Sequence, residues 1–229
     1  MKELPEGFWL NIGCGPSNPS GWVNLDGSWQ ARLAGNGIAS WLACRLTGRD
    51  AGNWPSGIIH RDIRKGLGYA PGTVAVVYSS HTLEHLFREE AVSLMRDVYR
   101  ALKPGGVCRI VVPDLRAIID WYLEHANLPA SQKALPSSDL LMGMLSVHSR
   151  SNPANTKGVW GWYRRLTNFE EHKWMYDEEG LENIFLEAGF SQPVAKNYLD
   201  SLIPVDRLQV VEKEDRLANG AGICVEARK

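Results

Sequence analysis

The chain has 229 residues, 44% of them hydrophobic and 22% charged, with a formal net charge of −1. That length suits one α/β domain able to bury about 70–75% of the surface its unfolded chain exposes. Near-neutral charge and the lack of clustered Lys and Arg speak against a nucleic-acid-binding surface, and no stretch approaches the roughly 18 apolar residues that a membrane span needs.

Phe8 to Ile12 is a short apolar run ending in glycines and reads as a first strand. Trp22 to Leu25 is a second, closed by Asp26. Residues 28–46 are partly helical in pattern, with apolar positions at Leu33, Ile38, Trp41, Leu42 and Leu46. Ile58 and Ile59 precede Asp62. Val74 to Tyr78 is rich in β-branched residues and predicts a strand. Glu89 to Leu102 predicts a helix, because Ala91, Leu94, Met95, Val98, Tyr99 and Leu102 follow the spacing of one buried face. Lys103-Pro104-Gly105-Gly106 ends it, and Val107 to Val112 follows as a nearly continuous apolar strand of the kind buried inside a parallel sheet.

Beyond Pro113 two helices are expected, over Ala117–His125 and Ser138–His148. A Trp-rich loop, Val159 to Tyr163, follows. Asp177 is placed to cap a helix carrying Leu181, Ile184, Phe185 and Ala188 inward, with Gly189 as its stop. Val194–Leu199 and Gly222–Ala227 are the last strands, expected as an antiparallel edge pair. The order predicts a doubly wound, Rossmann-like α/β sheet, mostly parallel, with helices on both faces and an antiparallel C-terminal edge. Residues 1–229 form a single domain, in which 116–175 are a helical and aromatic insertion suited to act as a substrate lid.

The four cysteines, Cys14, Cys44, Cys108 and Cys224, form no C-x-x-C pair, so no zinc site or redox dithiol, and no metal, is expected. Met1 to Pro5 has no apolar signal region. The expectation is a reduced, cytoplasmic protein.

The chemistry concentrates at predicted strand ends. Leu10-Asn11-Ile12-Gly13-Cys14-Gly15 follows the first strand, and its glycines let a ligand approach the backbone. A carboxylate at Asp26 can accept two bonds from a ribose diol, and Asp62 can accept one from an adenine amino group. With Ser79-Ser80-His81-Thr82-Leu83-Glu84-His85-Leu86 and Leu102 to Gly106, this order resembles the class I methyltransferase family over roughly residues 8–115. Glu187-Ala188-Gly189-Phe190 is similar to the family's closing helix.

The resemblance implies S-adenosyl-L-methionine as cofactor. Its binding residues would be Asn11, Gly13, Cys14, Gly15, Asp26, Asp62, Ile63, Ser79, Ser80 and His81. By the resemblance the glycines contact the methionine portion, Asp26 the ribose, and Asp62 with Ile63 the adenine, while Ser79 and His81 line the sulfonium end. Two departures stand out. Pro16 and Ser17 replace the usual continuation of the glycine loop. Asp26 follows Gly15 by only eleven residues (15 to 26), too few for a full linking helix, so a loop or single turn is expected. This shortened form resembles a subgroup linked with surface-glycan pathways.

Methyl transfer chiefly needs proximity and alignment, and a hydroxyl acceptor also needs a base. His81, His148, His172 and Asp114 are the candidates. His85 could instead brace the next helix with Glu84, and Asp114 could equally be an N-cap. Trp160, Trp162, Tyr163 and Trp174 could stack on a sugar or pack the insertion onto the sheet. Arg150, Lys157, Arg164 and Arg165 could line a basic pocket or be solvated. The leading reading is a methyltransferase on a small-molecule or saccharide acceptor, probing first for O-methylation. A non-catalytic cofactor-binding protein of the same fold is the alternative, and a nicotinamide oxidoreductase lacks the second half of its glycine fingerprint. The sequence leaves the oligomeric state open.

Overall fold

β-Branched and apolar residues make the centre of the sheet. Val74 to Tyr78 and Val107 to Val112 are buried throughout, which requires cover on both faces. The computed structural model describes residues 4–33, 41, 45, 54–146 and 171–229. Its strands are β1 (Phe8–Ile12), β2 (Val23–Asp26), β3 (Ile59–His60), β4 (Val74–Ser80), β5 (Leu102–Pro113), β6 (Val194–Ala195) and β7 (Gly222–Arg228). They form one seven-stranded sheet in the order β3-β2-β1-β4-β5-β7-β6. β1 to β5 pair in parallel, and β7 runs antiparallel to both β5 and β6. The chain order reverses between β1 and β4, and there the strand ends open toward a ligand.

The helices are α1 (Trp29–Leu33), α2 (Arg88–Ala101), α3 (Leu115–Ala126), α4 (Ser137–Leu145), α5 (Glu178–Ala188) and α6 (Val205–Leu208). α2 and α5 cover one face. Their buried residues, among them Leu94, Met95, Val98, Leu181, Ile184 and Phe185, join Leu10, Ile12, Val77, Ile110 and Val225 in the larger core. Asp177 caps α5 by accepting from Gly180 N–H at 2.8 Å, and Gly189 ends it, as expected.

The opposite face is built differently. Residues 13–22 hold turns and no helix, in line with the short link from Gly15 to Asp26. Ile203, Leu208 and the partly buried Val211 pack there on Trp22, Val76, Tyr78 and Val111. Trp22 Nε1 donates to the Arg207 carbonyl at 3.1 Å, and the Arg207 guanidinium sits 4.8 Å above the Trp9 ring. Among the described residues, the C-terminal segment around the single turn α6 contributes to the cover of this face.

Two boundaries differ from expectation. β5 begins at Leu102, because Lys103 to Gly106 is accommodated as a bulge: Val74 faces Leu102 while Val76 already faces Val107. The antiparallel edge pair forms as expected from β7 and β6, but the outer strand β6 has two residues in place of 194–199. The cause is Arg109, fully buried on β5. Its guanidinium takes Glu212 at 2.7 and 3.0 Å and the carbonyls of Asn197 and Asp200 at 2.8 and 2.9 Å. Residues 197–200 turn to offer those carbonyls, and a strand cannot do so while pairing. Burial opposes the charge on Arg109, but the bond to Glu212 together with the neighbouring charges of Glu212 and Glu226 outweighs it, so the guanidinium stays firmly protonated. The expected helix Ser138–His148 is described as far as Leu145. His148, Arg150, Lys157, Trp160, Trp162, Tyr163, Arg164 and Arg165 lie outside the described residues, as do 34–40 of the first partly helical stretch. Among the described residues no helix is long and apolar enough to cross a membrane.

Candidate active site

The glycine loop leaves β1 at the switch point. Gly13 and Cys14 N–H both reach the Leu25 carbonyl, at 2.8 and 3.2 Å. Gly13 (φ +68°) and Gly15 (φ +57°) adopt the left-handed conformation that favours glycine. They differ in surroundings. A Cβ on Gly13 would stand 2.0 Å from Thr82 Oγ1, whereas one on Gly15 would meet no atom within 4 Å. Gly15 therefore borders open space.

Asp26, only 8% exposed, holds the loop in place. Its Oδ2 accepts from Gly15 N–H at 2.9 Å and its Oδ1 from Ser28 N–H at 2.8 Å. Each oxygen keeps a further lone pair for a donor from outside. Cys14 lies beside this carboxylate. Burial, and then the Asp26 charge, push its thiol up to about 12.

Other members of the expected set are turned inward. The Asn11 amide donates to Asn24 Oδ1 at 2.9 Å and ties β1 to β2. Ser79 is 1% exposed and donates to the Ile12 carbonyl at 3.0 Å. Ser80, one residue on, is partly exposed at the strand end. Asp62 sits at the rim next to buried Ile63, but its carboxylate grips Arg64, with Nε at 2.8 Å and the terminal nitrogen at 2.9 Å. That bond to Arg64 holds the Asp62 carboxyl below its usual range. Asp114 caps α3, accepting from Arg116 N–H at 2.8 Å, so the cap is the role its geometry fills.

The histidines converge past β4. His81 has φ +53° and donates its backbone N–H to the Val111 carbonyl at 2.9 Å. Its Nδ1 lies 3.2 Å from Oε1 of Glu84, whose side chain is fully buried. His85 and His172 rings meet edge-on with centroids 5.0 Å apart. His85 Nδ1 is 3.2 Å from the Glu171 carbonyl. Lys173 and Trp174 N–H both bond the Glu84 carbonyl, at 2.7 and 3.2 Å, which docks the 171–174 segment on this turn. His81 Nε2, both Glu84 oxygens, His172 Nδ1 and the Tyr176 hydroxyl are buried without an aligned hydrogen bond among the described residues. Burial lowers the His172 pKa, opposed by the Glu84 charge; burial raises that of Tyr176, aided by the same charge. His60 and His125 stand apart, the latter stacked on Trp121.

Sequence reasoning treated Glu84 and His85 as a helix brace and passed over Tyr176, Thr82 and Ser28. The spacing His81-x-x-Glu84-His85, on one tight turn, was the available signal for the first two.

A glycine loop tied to a strand-end carboxylate, with a titratable cluster one strand away on the same rim, defines an α/β enzyme that binds a nucleoside cofactor. Residues 10–110 match the family described as "Methyltransferase domain". Residues 10–110 thus carry an S-adenosyl-L-methionine-dependent methyltransferase domain. The residues fit that molecule, since Gly15 opens on free space and Asp26 retains acceptor capacity beside it. No curated protein sequence matches the chain. Solved structures of similar fold include an S-adenosylmethionine-dependent methyltransferase from Mesorhizobium loti (18% identity, covering 100% of this chain and 94% of that one, TM-score 0.47). Another is a possible histamine N-methyltransferase from Thermotoga maritima (14% identity, 99% and 84% covered, TM-score 0.47). A third is a methyltransferase from Archaeoglobus fulgidus (16% identity, 97% and 86% covered, TM-score 0.44).

Proposed function

We propose that the enzyme methylates a hydroxyl oxygen on a small-molecule or saccharide acceptor, with His81 as the general base. The observation that carries this reading is the His81–Glu84 pair. A buried carboxylate 3.2 Å from Nδ1 orients the ring, and Nε2 has no competing hydrogen bond among the described residues. A nitrogen acceptor, already carrying a lone pair when neutral, has less need of such a base.

Gly13, Cys14 and Gly15 hold the methionine portion in this reading, and Asp26 takes the ribose hydroxyls. Ile63 borders the adenine, while the Asp62 carboxylate remains with Arg64. When bound, the cofactor would supply an electrophilic sulfonium methyl group for transfer to the acceptor oxygen. The protein's own part is to align the acceptor, accept its proton at His81 Nε2 and exclude water. Residues 116–175 form the lid that does the last of these. Among the described residues, Cys14, Cys108 and Cys224 are unpaired thiols, which suits a reducing, cytoplasmic setting.

The test is turnover by His81→Gln on a panel of hydroxyl and amine acceptors. The expected result is activity on a hydroxyl acceptor that falls about 10²–10⁴-fold in the variant, with S-adenosylhomocysteine affinity kept. Undiminished turnover in His81→Gln, or turnover of amines alone, refutes the reading.

A further inference from the structure

We propose that Glu84, His85 and His172 form a binding site for one divalent first-row transition cation. Their donor atoms lie within 4.8 Å of one another. Ligands about 2.0–2.2 Å from a zinc-sized ion stand roughly 3–4 Å apart, so small rotamer adjustments close the shell.

Each ligand is prepared for the role. The Glu84 side chain is fully enclosed and neither oxygen has an aligned hydrogen bond among the described residues. A carboxylate so placed needs a positive partner, because burial of an unpaired charge is strongly unfavourable. His81 approaches only Oε1, at 3.2 Å and out of line, which leaves Oε2 for a cation. The Glu171 carbonyl can only accept, so His85 Nδ1 must carry the proton in its 3.2 Å contact. That fixes the tautomer and leaves a lone pair on Nε2, which is how proteins commonly orient a metal-binding imidazole. His172 has a buried Nδ1 with no aligned partner. Its backbone is held by the Ser146 carbonyl at 3.0 Å, and the two residues after it are held by the Glu84 carbonyl. The third ligand is thus tied to the turn that carries the other two, although it comes from a distant part of the chain.

The donor chemistry selects the ion. Two imidazoles and one carboxylate suit Zn²⁺, Mn²⁺, Fe²⁺ or Co²⁺, whereas Mg²⁺ prefers oxygen donors and retained water. Three protein ligands also leave coordination positions open. A cation here places positive charge beside the acceptor hydroxyl and favours its ionised form. That consequence rests on the hydroxyl-acceptor reading; cation binding itself does not.

The experiment uses the full chain, stripped of metal by chelator and dialysis. Zn²⁺ is titrated by calorimetry, and Co²⁺ is followed by its visible absorption. The expected result is one ion per chain, binding weakened at least tenfold in Glu84→Gln, His85→Ala and His172→Ala, and Mg²⁺ weaker than Zn²⁺ by at least tenfold, on the scale seen when metal shells are disturbed. S-Adenosylhomocysteine binding, measured on every variant, reports that each is folded. If Glu84→Gln fails that check, the two histidine variants decide. No saturable site at about 1 mM Zn²⁺, or folded variants that bind like the parent, overturns the proposal. One ion bound through these ligands without turnover of any hydroxyl acceptor upholds the site and removes the hydroxyl-acceptor reading.

Discussion

Gly13 and Gly15 share a left-handed backbone, yet alanine should act differently at each. At Gly15 the new Cβ meets nothing within 4 Å. Gly15→Ala therefore costs the chain only the left-handed penalty, roughly 1–2 kcal/mol. At Gly13 the same penalty is joined by a Cβ placed 2.0 Å from Thr82 Oγ1 and 2.8 Å from Thr82 Cγ2. Relief means moving Thr82, which bonds the Ile12 carbonyl at 3.4 Å, and overpacking of this kind typically adds about 1–3 kcal/mol. Gly13→Ala should thus lose roughly 2–5 kcal/mol of stability, and adding Thr82→Ala should recover part of it. Cofactor binding should rank the other way relative to stability. The Gly15 methyl enters the space proposed for the cofactor, so S-adenosylhomocysteine affinity should fall at least tenfold in a protein that remains folded. Urea denaturation gives the stabilities and calorimetry the affinities. Unchanged affinity in folded Gly15→Ala refutes the placement of the cofactor over this loop. A Gly13→Ala loss no larger than that of Gly15→Ala refutes the steric argument.

Three further outcomes follow from the same geometry. Asp26→Asn must present an NH₂ to either Gly15 or Ser28 N–H; it should lower stability by roughly 1.5–3 kcal/mol and weaken S-adenosylhomocysteine at least tenfold, and equal affinity in a calorimetric titration would contradict the ribose assignment. Cys14, with its thiol pushed up to about 12, should be about five-hundredfold less ionised at pH 9 than an ordinary thiol, which is near half-ionised there. Peptide mass mapping of iodoacetamide adducts should therefore show its labelling still rising above pH 10, and the raised pKa also means that its contribution to stability is full below pH 9 and fades as pH climbs toward 12; a labelling midpoint near 9 counts against the burial of this thiol. Arg109→Met strands the Glu212 and Glu226 carboxylates in the core, for an expected loss of about 3–5 kcal/mol in urea unfolding, and a loss below 1 kcal/mol would mean that the network is relieved by water.

Much of this was legible because its signals are local. The apolar spacing of Ala91 to Val98 marks α2, Asp177 and Gly189 bracket α5, and the ten residues between Gly15 and Asp26 leave no room for a full helix. Where the reading missed, a competing partner lay nearby or far off. Asp62 has Arg64 two residues on, and the bidentate pair they form was not part of the sequence reading. Arg109 looked like an interruption in an apolar strand. Its partners Glu212 and Glu226 are 103 and 117 residues away, too far for any sequence pattern to join them. The same holds for His85 and the 171–172 segment, brought together only by the fold. The search for a metal site looked for cysteine spacing, and the cluster that formed contains no cysteine.

The missing helix between β1 and β2 explains more than a boundary. A linking helix would cover the Trp9–Trp22–Tyr78 face and would set the glycine loop at its own N-terminus. Here both tasks pass to other parts of the chain. The first falls to Ile203–Val211, docked through Arg207 on Trp9 and Trp22. The second falls to Asp26, which holds Gly15 by its carboxylate while facing the same open space. In the proposed reading, loop order and ribose recognition therefore fall to one side chain. Because each oxygen of Asp26 uses one lone pair on the backbone and keeps another, the two functions reinforce each other: a ligand that draws on the free lone pairs also fixes the carboxylate that fixes the loop.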